Sequence, residues 1–63
     1  MDEGIDVIKT LESTLDNKQE MVRAYQLFAD KIEDHSVSEM FRRFAESEGL
    51  QAHQIIDKLE DLK

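Results

Sequence analysis

Two long runs of apolar residues at steps of three and four, separated by a polar Asp34-His35-Ser36 and uninterrupted by any proline, leave this chain very few folds. The first run extends from about Gly4 to Glu33. Its apolar line is Ile8, Leu11, Leu15, Val22, Tyr25, Ala29 and Ile32, widened by Val7, Met21 and Phe28 and continued by Thr14. The second extends from about Val37 to Leu62, with Val37, Met40, Phe41, Phe44, Ala45, Ala52, Ile55, Leu59 and Leu62. Such spacing is the face a helix buries in a bundle, and no strand alternation competes with it.

Asp34 and Ser36 compete for backbone hydrogen bonds, so they favour a break over one continuous helix. Ser36 followed by Glu39 has the pattern of a capping box, with Ser36 as the N-cap. The chain therefore reads as an all-α antiparallel hairpin: a helix over about 4–33, a turn at 34–36 and a helix over about 36–62. At 63 residues it is short for a domain that must bury a large core alone. Its apolar faces are also wider than one helix–helix seam can cover. Both considerations predict a homodimer, two hairpins making one four-helix bundle. The pattern accommodates hairpins running in either relative direction.

Charge narrows the function classes. Eight Lys or Arg against 15 Asp or Glu give a net charge of −7, which opposes a nucleic-acid or anionic-membrane partner. Without cysteine there is no disulfide, thiolate metal site or Cys nucleophile. No apolar run approaches the ~20 residues of a bilayer span, and no signal-peptide core is evident, so a cytoplasmic location is expected. No nucleophile–base pair, Gly-rich phosphate loop or basic groove is recognisable, so no catalytic residue is assigned.

The informative residues are the polar ones on the apolar lines. Lys18 stands between Leu15 and Val22 where an apolar residue was due, and Glu48 stands between Phe44 and Ala52. Folding the hairpin about residue 35 puts Lys18 level with Ala52, one helical turn from Glu48 and beside Gln51. We therefore expect a buried polar layer of Lys18, Glu48 and Gln51, doubled by dimer symmetry, that specifies register. The competing reading is that Lys18 snorkels to water and Glu48 sits at a leaky seam. As a metal ligand Glu48 is a weak candidate, because the lysine already neutralises it. His35 falls in the turn and His53 on the solvent side, so neither joins a site. Gly49 interrupts the second helix off the core line, and Glu39–Arg43 and Arg42–Glu46 have the spacing of supporting surface pairs.

The stretch Val37-Ser-Glu-Met-Phe41-Arg-Arg-Phe-Ala45-Glu-Ser-Glu48-Gly-Leu-Gln51-Ala52 resembles the second helix of a rubrerythrin-type ferritin-like half-domain. That helix carries Phe, a small residue, then Glu-x-x-His-Ala, and Phe41, Ala45, Glu48 and Ala52 match it. The family's metal-binding Glu falls on Glu48 and its metal-binding His on Gln51. The Glu that lies seven residues before a Tyr in its first helix falls on Lys18. The resemblance implies a ferritin-like four-helix bundle assembled from two chains, with the di-metal ligand set degenerate at two of three positions. It leaves two expectations for function. The first is a small structural or interaction protein without a catalytic centre, with a further, unidentified protein as a possible partner. The alternative is a metal-binding or oxidoreductase protein that holds iron or manganese through Glu48 in an oligomeric site.

Overall fold

The computed structural model describes residues 5–63, and two α-helices account for nearly all of them: α1, Val7–Lys31, and α2, His35–Leu62. They pack side by side as an all-α hairpin, with residues 32–34 as the connection. The expected helix start at Gly4 lies outside the described residues. Within them, Asp6 is the N-cap of α1, and its carboxylate accepts from the Lys9 backbone N–H at 3.1 Å. This relieves one of the donors that a helix start leaves without an intrahelical partner.

The second helix begins two residues earlier than its capping-box pattern suggested. Asp34, not Ser36, is its N-cap. The Asp34 carboxylate accepts from the Val37 N–H at 3.0 Å and from the Ser36 hydroxyl at 2.8 Å. At that position the carboxylate also brings negative charge to the positive helix end. These hydrogen bonds hold the Asp34 carboxyl below its ordinary value of 3.8, the Val37 N–H contributing most. His35, assigned to the turn from the sequence, becomes the first residue of α2.

Small side chains line most of the seam between the helices. Ser38, Ala45, Ala52 and Leu59 are the buried residues of α2, and Ala29 is the buried residue of α1. The four on α2 are spaced by seven, which keeps one line of a helix facing its neighbour. Among the described residues Leu59, at 7% exposed, is the one large side chain that the seam buries; a two-helix hairpin has a single seam, and the other bulky residues beside it keep a side in water.

The bulkier residues sit to one side of that seam. Tyr25 packs against Phe41 and Phe44, with ring centroids 5.8 and 5.6 Å apart, and Phe28 packs edge-on against Phe41 at 5.4 Å. These contacts bring the same flank of both helices together into one broad face. Phe28, Phe44 and Met40 remain 42%, 42% and 49% exposed on it. Met21, Val37 and Ile55, also half-buried, extend it along the hairpin.

The opposite flank is polar. There Arg42 lies 3.8 Å from Asp30 across the helices and 3.9 Å from Glu39 along its own helix, rather than pairing with Glu46. At the open end the Lys63 ammonium meets Glu12 at 3.1 Å. All these groups are well exposed, and such pairs add little to stability.

Candidate functional site

Lys18 and Glu48 occupy the middle of α1 and α2, farthest from fraying ends. Each interrupts an apolar line that packing would otherwise fill. The two meet across the seam, with Lys18 Nζ 3.3 Å from Glu48 Oε1. Their side chains keep 25% and 20% of their surface exposed, so the pair is shielded but not dry. This juxtaposition follows from the hairpin: an antiparallel turn at 32–34 sets residue 18 and residue 48 within a helical turn of each other.

The contact is an ion pair rather than a well-formed hydrogen bond. Glu48 Oε1 is itself fully enclosed, and among the described residues no donor meets it in hydrogen-bonding geometry. The short 3.3 Å distance and the missing hydrogen bond are compatible, because an ammonium can lie close to a carboxylate oxygen at a poor angle. Coulomb attraction persists in that arrangement, while the directional part of the interaction is lost.

Gln51, the third member of the expected layer, does not join them. It is exposed in the hairpin and has no side-chain hydrogen bond among the described residues. The reason is the rotation of α2. The centre of its buried face runs through Ser38, Ala45, Ala52 and Leu59, not through Phe44 and Glu48. Glu48 therefore stands at the border between the seam and the open flank, and Gln51, one turn on, lies out on that flank.

The other polar residues stay apart from this pair. His53 is exposed, with Nε2 3.6 Å from Asp57 on the same helix, and His35 is exposed at the start of α2. Gly49 lies beside Val22 on the polar side of the seam. A Cβ at Gly49 would meet Val22 Cγ2 at 3.9 Å, ordinary van der Waals contact, so no close backbone approach demands glycine there.

One polar contact was not anticipated from the sequence. The Ser38 hydroxyl donates to the Ala29 carbonyl at 2.6 Å, buried between the helices. The signal that would have found it is the seven-residue line Ser38-Ala45-Ala52-Leu59, on which serine is the only polar member.

As a metal centre the site is poorly equipped. Among the described residues no group of three or more His, Cys, Asp or Glu side chains is placed to hold an ion. Glu48 supplies one carboxylate beside an ammonium, and an amide at Gln51 is a weak ligand compared with imidazole. These donors do not fit the di-metal centre that the ferritin-like resemblance implies, and no chemistry is routed through one. What the arrangement does chemically is place a compensated charge pair at the centre of an apolar hairpin, with one carboxylate oxygen short of donors. No family model, curated protein or solved structure matches this chain.

Proposed function

We propose that this hairpin is a structural or interaction module that pairs with a second copy of itself, forming a four-helix bundle without a catalytic centre. The observation that carries the reading is the broad face beside the seam, where Phe28, Met40 and Phe44 are each more than two-fifths exposed. A contiguous apolar surface of that kind on a small protein marks an interaction site. The Lys18–Glu48 pair serves assembly in this reading. A shielded charge pair contributes little net stability, but it penalises packings that would separate its members. Descent from a ferritin-like half-domain belongs to the same proposal, supported by the coincidence of Lys18, Glu48 and Gln51 with that family's ligand positions.

Sedimentation equilibrium across micromolar concentrations tests the reading. A monomer–dimer equilibrium is the expected result. A monomer throughout the range would refute self-pairing and leave a different protein as the occupant of the face.

A further inference from the structure

Glu48 keeps part of its carboxylate side chain in water, and Gln51 holds an amide one turn away. A fifth of the Glu48 side chain stays exposed at the border of the open flank, while Oε1 is enclosed against Lys18 within the hairpin and closed to a second chain. A partner laid on the flank would cover that exposed part. Gln51 projects from the same helix one turn later, exposed, with an amide whose donors find no partner among the described residues. Within one hairpin the two do not meet.

The distribution of charge says what covers this flank. The chain has 15 acidic residues, and association of two copies at −7 each is opposed by repulsion wherever those acids face one another. The heptad lines of the open flank, Thr14-Met21-Phe28 on α1 and Val37-Phe44-Gln51 on α2, hold none of them. Glu48 is the acid at the flank's edge, and Lys18 already balances it. This is the face on which two copies can approach without carboxylates opposed.

We infer that when two copies pair through this flank, the Gln51 amide of one donates to the Glu48 carboxylate of the other, and the reverse bond forms by symmetry. The inference rests on the self-pairing proposed above and adds its specificity determinant. Glu48 and Gln51 lie near mid-length of α2, so a two-fold axis across the helices, with the turns opposed, sets α2 against its own copy with the two layers at matching height. A carboxylate covered by an apolar partner surface would lose water with nothing in exchange, and an amide donor opposite it restores the exchange.

The test is Gln51→Leu, measured by sedimentation equilibrium beside the parent. An interface made only of apolar contact predicts a tighter dimer for this variant. The amide-to-carboxylate bond predicts the opposite: Kd rises by on the order of tenfold or more. The triple variant Lys18→Met/Glu48→Leu/Gln51→Leu then recovers most of the loss, since neither a carboxylate to be covered nor an uncompensated ammonium remains. Gln51 is exposed in the hairpin, so circular dichroism should show unchanged helix content in Gln51→Leu. A parent dimer with Kd unchanged or lowered by Gln51→Leu overturns the cross-chain bond and leaves the pairing intact. A parent that stays monomeric overturns the pairing itself, and the bond with it.

Discussion

The Ser38 hydroxyl donates to the Ala29 carbonyl at 2.6 Å, tying the first turn of α2 to the last turn of α1. Helix α1 ends at Lys31, so the carbonyls of its last turn lack intrahelical donors. The Ile32 N–H takes the Phe28 carbonyl at 2.9 Å, and Ser38 takes Ala29 from across the seam. One small polar residue thus fits the tightest part of the interface and satisfies a group the connection would otherwise strand. Ser38→Ala preserves the close packing but orphans the carbonyl. We expect a loss of about 1 kcal/mol, the hydrogen bond being partly offset by the better helix propensity of alanine. Urea unfolding at fixed protein concentration measures it. A variant as stable as the parent would show that water reaches the carbonyl freely.

The Lys18–Glu48 pair is open to a double-mutant cycle. Lys18→Met removes the compensating charge and leaves a partly enclosed carboxylate. Because a fifth to a quarter of each side chain remains in water, the cost is discounted from that of a dry pair, to about 1–2 kcal/mol. Replacing both residues with apolar ones of similar size should recover most of it. A coupling near zero in the cycle would mean that the two charges are solvated independently.

Gly49→Ala should stabilise the hairpin. A glycine within a helix costs roughly 0.5–1 kcal/mol relative to alanine, and here the added methyl meets Val22 at an easy 3.9 Å. A higher thermal midpoint at unchanged helix content is the expected outcome. A destabilised variant would mean that glycine is required by a contact outside the single hairpin.

Asp34 provides the pH dependence. Its carboxyl titrates lower in the folded chain than its ordinary value of 3.8, chiefly through the bond from the Val37 N–H. The unfolded state therefore binds its proton more readily, and stability rises with pH across that interval. The contribution is complete above the ordinary value and is lost as pH falls through the lower folded one. Asp34→Asn retains an N-cap but does not titrate. Unfolding curves taken from about pH 5 down to pH 2 should show a shallower loss of stability for this variant than for the parent. Parallel slopes would assign the acid sensitivity to other carboxylates.

The two helices and their antiparallel hairpin were legible in the sequence because apolar periodicity and a polar three-residue break are local properties of the chain. The meeting of Lys18 with Glu48 could be anticipated for a related reason. Once the turn is placed, antiparallel geometry sets the heights of facing residues, and a long lysine stem tolerates an error of one turn. Three matters were decided only by the tertiary structure. Which of Asp34 and Ser36 caps α2 depends on the backbone direction through the connection. The line of α2 that faces α1 depends on packing: a hairpin with one seam draws its smallest side chains, Ser38, Ala45 and Ala52, into the closest contact. The bulkier Phe41 and Phe44 are turned aside to form the aromatic cluster. That rotation carries Gln51 out to the open flank and leaves Glu48 at its edge. Periodicity marks the breadth of an apolar face, but only the shapes that meet across the seam determine where its centre lies.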